Sequence, residues 1–255
     1  MTAFVGGGGK TSAIVRLSNE LSAAGWRVVA TTTTMVGRSL STALSTVVTR
    51  DPRWQEAAGE ALAATGATFV ADALDETTGK YSGLRPDDVS RLSARLDPDV
   101  VLVEADGSKQ RPIKAPAEHE PAMPPDTSLV VPVAGLDALG RPLDEHVAHR
   151  LQLVLSICPG DRVTPDLLGR LLGSERGGRK SAPVGAAVVP LLNKSDTLAQ
   201  RCSNLTSVAA RVAASGGFER LAVSDLVNGR FAALLARTAG AGTPGSPPGP
   251  RMANE

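Results

Sequence analysis

A chain of 255 residues with 42% hydrophobic residues can bury a sizeable core, as one large α/β domain or two small ones. Aromatics make up only 3%, so packing rests on Val, Leu, Ile and Ala, and stacking platforms for nucleic-acid bases are scarce. The formal net charge of +1 supplies no global field to recruit nucleic acid or a membrane surface, and no apolar run approaches the roughly 18 residues of a membrane span.

Thr2 to Val5 reads as a very short first strand that runs into Gly6-Gly7-Gly8-Gly9-Lys10-Thr11-Ser12. Glycines let a backbone turn through positive φ, and the helix that follows (Ile14, Leu17, Leu21) adds its positive N-terminal end. Strand, glycine turn, Lys-Thr and helix in this order make a phosphate nest of the P-loop type. Lys10 would reach the β/γ-phosphates and Thr11 would place its hydroxyl on Mg²⁺. The match is to the short form through Gly6, Gly7, Gly9, Lys10 and Thr11, because Phe4 stands where the longer pattern requires glycine. Val5 occupies the position of a second, partner-reaching lysine, so that function is not expected.

Arg27 to Ala30 reads as a buried strand ending in Thr31-Thr32-Thr33-Thr34, which places hydroxyls where parallel sheets bind ligands; Thr32 and Thr33 are candidates. A helix is expected over 54–64 and a strand over 67–71, followed by a turn-rich loop holding Tyr81. Pro86 opens a helix to about Leu96. The apolar strand from Asp99 to Val103 then delivers Glu104 and Asp106 at its C-terminal tip, where P-loop proteins place the acid that serves Mg²⁺.

Residues 111–125 are rich in proline and charge, which favours a substrate or partner surface beside that acid. Lys109, Lys114, Glu118 and His119 are its candidates. A strand over 128–133 follows, then a helix from about Asp144 carrying His146, His149 and Arg150, with both histidines on one face. Thr164-Pro165 is an N-cap and N1 pair opening another helix, and 174–181 reads as an exposed basic loop.

An apolar strand over 186–192 ends in Asn193-Lys194-Ser195-Asp196. This is the base-recognition pattern of GTP-binding P-loop proteins: the aspartate carboxylate accepts from guanine N1–H and its exocyclic amine, a pair adenine lacks. Pro190 inside the strand argues against it, since proline removes a ladder hydrogen bond. A helix over 197–214, a strand over 220–223 and a helix over 227–239 complete the core. Residues 1–239 are thus expected to form one nucleotide-binding α/β domain, and 240–255, Gly/Pro-rich and aperiodic, a disordered tail. Cys158 and Cys202 are widely spaced and read as structural thiols, and with no signal peptide ahead of the glycines the expected location is cytoplasmic.

Beyond the glycine loop, the chain resembles the YqeC family in the threonine run 31–34, the segment 79–84 and Val103-Glu104-Ala105-Asp106-Gly107-Ser108-Lys109. The same likeness extends to Lys114-Ala115-Pro116-Ala117-Glu118-His119-Glu120-Pro121 and to 135–150. The resemblance implies a nucleotide-dependent accessory role in maturing a selenium- or molybdenum-containing hydroxylase cofactor, with that hydroxylase or its maturation proteins as partner. The expected fold is a three-layer P-loop NTPase-like domain on a mostly parallel sheet. The favoured activity is Mg²⁺-dependent hydrolysis of GTP, with ATP the competing ligand. Gly6, Gly7, Gly8, Gly9, Lys10, Thr11 and Ser12 would hold phosphates, and Asn193, Lys194 and Asp196 the base. Thr11, Glu104 and Asp106 would serve the metal, with Lys10, Asp106 and Glu104 acting in catalysis. A small-molecule kinase or ligase and a non-hydrolysing nucleotide-loaded scaffold are the alternatives.

Overall fold

The computed structural model describes residues 1–199 and 204–235. The chain opens with β1 (Thr2–Gly6), α1 (Lys10–Ala23), β2 (Val28–Thr32), α2 (Ser39–Ala43), β3 (Ser45–Val48), α3 (Trp54–Thr65) and β4 (Ala67–Ala71). A small hairpin, β5 (Ala73–Asp75) and β6 (Lys80–Ser82), precedes α4 (Pro86–Leu96), β7 (Val100–Glu104), β8 (Ile113–Lys114) and β9 (Leu129–Gly135). Next come β10 (Ala148–His149), α5 (Leu151–Ile157), α6 (Pro165–Gly173), β11 (Ala187–Val188) and β12 (Leu191–Asn193). The described chain ends with α7 (Asp196–Ala199), α8 (Leu205–Gly216), β13 (Arg220–Asp225) and β14 (Arg230–Leu235).

The main sheet runs β14-β13-β12-β9-β1-β7-β2-β4-β3, with β11 also on β9. Every pairing in it is parallel except β13 with β14. β1 is central, paired with β7 over Thr2–Phe4 and with β9 over Thr2–Gly6. Along β1 the side chains alternate: Phe4 packs with Ala13 and Ile14 of α1, while Ala3 and Val5 pack with Ala58, Leu62, Val89 and Leu92 of α3 and α4. A third cluster joins α6 and α8 to β12 and β13 through Leu167, Leu171, Val212, Leu192 and Val223. The fold is therefore a three-layer α/β fold on a mostly parallel sheet. Parallel pairing sends the C-terminal ends of β1, β7, β2, β9, β12 and β13 to one edge, where ligands bind in such sheets.

Several elements differ from the expectation. Residues 227–235 do not continue a helix: Asp225 accepts from Asn228 N–H, Gly229 takes φ +68°, and the chain returns as β14. The Ala- and Leu-rich composition after Phe231 reads as helix, but turn chemistry just before it decides the reversal. The rest of that expected helix, 236–239, and the expected tail 240–255 lie outside the described residues, as does Cys202. The strand over 186–192 breaks at Pro190 into β11 and β12, and the Pro190 carbonyl accepts from Ala222 N–H at 2.8 Å. The expected helix over 197–214 is two, with Asn204 capping the second by accepting from Ser207 N–H at 3.0 Å. No helix begins at Asp144; α5 starts only at Leu151, after Arg150 at φ +62°. His146 and His149 therefore share no helix face. The basic loop 174–181 is exposed at Glu175, Arg176 and Ser181 but held close at its glycines, where added Cβ atoms at Gly177 and Gly178 would lie 2.0 and 2.4 Å from the Leu171 and Leu172 carbonyls. β3 was not anticipated.

Candidate nucleotide site

The glycine turn leaves β1 with Gly6 at φ +92°, Gly8 at +85° and Gly9 at +134°. Side chains are excluded here mainly by the protein itself. A Cβ on Gly8 would lie 2.2 Å from Gly135 N, and one on Gly9 2.2 Å from Asn193 Nδ2. The turn is thus wedged between the ends of β9 and β12, with Gly7 and Gly8 buried, Gly9 and Thr11 half-buried and Ser12 exposed. The Gly7 N–H donates to the Val133 carbonyl at 3.0 Å, so it is not part of the open nest. The amides of Gly8, Gly9 and Lys10 have no acceptor among the described residues.

Lys10 is buried, and its Nζ donates to the Gly6 carbonyl at 2.5 Å. It also lies 3.2 Å from Asp106 Oδ1 and 3.9 Å from Glu104 Oε1. The register Phe4↔Glu104 between β1 and β7 brings this acidic tip level with the loop. Glu104 Oε2 accepts from Thr11 Oγ1 at 2.7 Å. Burial raises its pKa, with Lys10 and the Thr11 bond opposing. Thr11 and Glu104 thus set two hard oxygen donors side by side, the chemistry Mg²⁺ takes when substrate phosphates and water complete its shell. They fit that ion. Asp106 is differently engaged: it accepts from Gly6 N–H at 3.1 Å, and its Oδ2 lies 3.0 Å from the buried Lys114 Nζ.

Lys114 extends the network outward, to Gly107 O at 2.5 Å and Glu120 Oε2 at 2.6 Å. Arg150 closes it with a two-pronged bond to Glu120 at 2.6 and 3.1 Å. Burial pushes Glu120 up, but the Lys114 and Arg150 bonds outweigh it and hold its pKa at about 2. His149 is pushed down to about 4, by burial first and then by Arg150 and Lys114. Both shifts make acid destabilising. Below pH 6.5 the unfolded chain protonates His149 while the folded one does not, so stability falls from there to about pH 4. Glu120 is stabilising above its ordinary 4.5, and that contribution is lost as pH falls through about 2. His149→Asn is expected to flatten the loss between pH 6.5 and 4.5 in urea unfolding; an unchanged slope there would show that His149 is not its source.

Other expected site residues fall at different places. Thr32 Oγ1 is committed to the sheet, donating to Glu104 O at 3.0 Å and accepting from Thr34 N–H at 3.1 Å. Thr33 Oγ1 is buried with no partner among the described residues. Glu118 and His119 are exposed on the proline-rich loop, and Lys109 sits at φ +47° in the turn before it. Asn193 Nδ2 donates to Gly8 O at 2.9 Å, while its Oδ1 accepts from Ser224 Oγ at 3.2 Å. It thereby binds the glycine turn to the tip of β13. Lys194 pairs with Asp137 at 2.8 Å, and Asp196 is exposed in the first turn of α7. Beside the loop lies a cleft of about 370 Å³ between the outer face of α1 (Thr11, Ser12, Arg16) and the β13–β14 turn (Leu226, Val227). Sequence reasoning missed this cleft, because it read the turn as helix.

Residues 2–152 match the YqeC protein family. The chain is 34% identical over 196 residues to the uncharacterized protein YqeC of Escherichia coli K12, covering 74% of each chain. It belongs to the YqeC family. Solved structures with a similar outline include FtsY from Mycoplasma mycoides, at TM-score 0.41 and 10% identity over 92% of this chain and 62% of that one. Chloroplast FtsY from Physcomitrella patens gives TM-score 0.38 and 12% identity over 86% of this chain and 57% of that one. The chain thus spans about three fifths of the FtsY chains it is matched to. Among the described residues of this YqeC family member, no helix is long and apolar enough to cross a membrane.

Proposed function

We propose that this protein binds a nucleoside triphosphate with Mg²⁺ and hydrolyses it. The reading is carried by one observation: the open amides of Gly8 to Lys10 and the Lys10 ammonium lie beside the Thr11–Glu104 oxygen pair, on adjacent strand ends. The amides and Lys10 would hold the phosphates and Thr11 and Glu104 would hold Mg²⁺, which when bound would supply charge neutralisation for phosphoryl transfer. Asp106 positions Lys10 and the Gly6 amide. The cleft beyond Ser12 accommodates the nucleoside.

GTP is the favoured ligand. Asn193 anchors the Asn-Lys-x-Asp segment to the phosphate loop and to the tip of β13, and Asp196 follows it in the first turn of α7. The role in maturing a selenium- or molybdenum-containing hydroxylase, with that hydroxylase or its maturation proteins as partner, rests on the family likeness. The exposed Glu118-His119 turn is the surface it would use.

A fluorescent GTP analogue, displaced by unlabelled GTP or ATP with and without Mg²⁺, tests the ligand. GTP is expected to compete better than ATP, and Asp196→Ala to abolish that difference. A wild type that prefers ATP, or an unchanged preference in the variant, would end the guanine reading. Release of free phosphate distinguishes hydrolysis from transfer to a small molecule, and binding without turnover would identify a scaffold.

A further inference from the structure

The same edge of the sheet carries a second cleft, of about 360 Å³, beyond the ends of β4 and β3. Three strand spacings of roughly 4.8 Å separate the end of β4 from that of β1, so the cleft lies about 14 Å from the glycine turn. Its volume is in the range of small-molecule sites. One wall is α4 with its N-cap Arg85, α4 itself contributing Arg91 and Arg95; another is the half-buried Trp54 at the start of α3. Two carboxylates also face it, and each already has a cation: Asp72 pairs with Arg50 at 3.1 Å and Asp88 with Arg91 at 2.7 Å. Arg85 and Arg95 have no ion pair among the described residues.

The wall is also held firmly. Leu84 N–H donates to Thr32 O at 2.8 Å, and a Cβ on Gly83 would lie 2.3 Å from Thr34 N. The segment leading into α4 is therefore laid directly on the tip of β2, whose Thr32 hydroxyl bonds to the Glu104 carbonyl.

We propose that this cleft binds a small organic anion bearing a planar ring. The free guanidinium groups of Arg85 and Arg95, at the two ends of the α4 wall, supply the positive charge that draws its phosphate or carboxylate, and the planar fork of each matches either group. The Trp54 indole takes the ring, by stacking. The site is separate from the glycine turn and does not depend on what that turn binds.

The full chain titrated with phenyl phosphate tests this, with benzoate as the carboxylate counterpart and inorganic phosphate and phenol as controls. Indole N–H signals are followed by NMR, with Trp54→Phe assigning the two tryptophans. The Trp54 signal is expected to move while that of Trp26 stays, with one or both ring-bearing anions binding about tenfold or more tighter than either control. Arg85→Gln combined with Arg95→Gln, both on exposed positions, is expected to weaken binding about tenfold or more at unchanged melting temperature. Lys10→Ala is expected to leave it unchanged, which separates this site from the nucleotide reading. A static Trp54 signal, inorganic phosphate binding as well as the ring-bearing anions, or full affinity in the double arginine variant would each overturn the proposal.

Discussion

Lys10→Ala is expected to weaken nucleotide binding roughly 10- to 150-fold, since it removes charge-assisted hydrogen bonds of about 1.5–3 kcal/mol. The same ammonium also neutralises the acidic tip of β7, at 3.2 Å from Asp106 and 3.9 Å from Glu104. Its loss leaves Asp106 with Lys114 and the Gly6 amide, so the carboxylate keeps two partners and the chain is expected to fold. Titration of a fluorescent nucleotide measures the affinity, and a melting curve on the same sample separates binding from folding. Wild-type affinity in a folded variant would remove the phosphate-loop assignment.

The largest expected effect on stability belongs to Lys114→Met. Lys114 is fully buried and bridges Asp106 at 3.0 Å and Glu120 at 2.6 Å. Removing one partner from a buried ion pair costs about 3–5 kcal/mol; Asp106 keeps Lys10 and Glu120 keeps Arg150, but both desolvated carboxylates lose the ammonium they share. For a chain of this size that corresponds to a fall of roughly 6–20 °C in melting temperature. Arg150 still holds Glu120, so the strain concentrates on Asp106 and hence on Lys10. Nucleotide affinity should therefore fall as well. A variant with the wild-type urea midpoint would show that the network is not what holds the proline-rich loop against the glycine turn.

Much of the scaffold was legible beforehand. The strand over 67–71 and the helix from Pro86 to Leu96 emerged at their expected bounds, because apolar runs and an N1 proline are local signals. Thr164 caps α6 as its position implied, accepting from Leu167 N–H at 3.1 Å. What misled was composition without a boundary signal. Ala- and Leu-rich residues after Gly229 form an edge strand because β13 offers a ladder to pair with, and helix propensity cannot weigh that. The paired histidines failed for the converse reason: His149 is drawn into a short parallel bridge with Lys114, which stops a helix from starting before Arg150.

Within the site, local order alone determined the glycine turn, the Lys-Thr pair that opens α1 and the acidic end of β7, since each is a contiguous pattern with its own backbone demands. Which groups meet was settled by the sheet. Parallel register sets Glu104 level with Phe4, and β12 beside β9 brings Asn193 against Gly8 across 185 positions of chain. The joint engagement of Asp106 by Lys10 and Lys114, and the guanidinium-lined cleft two strands beyond, also belong to tertiary structure. Charges far apart along the chain acquire partners only when burial removes water and geometry leaves them no other.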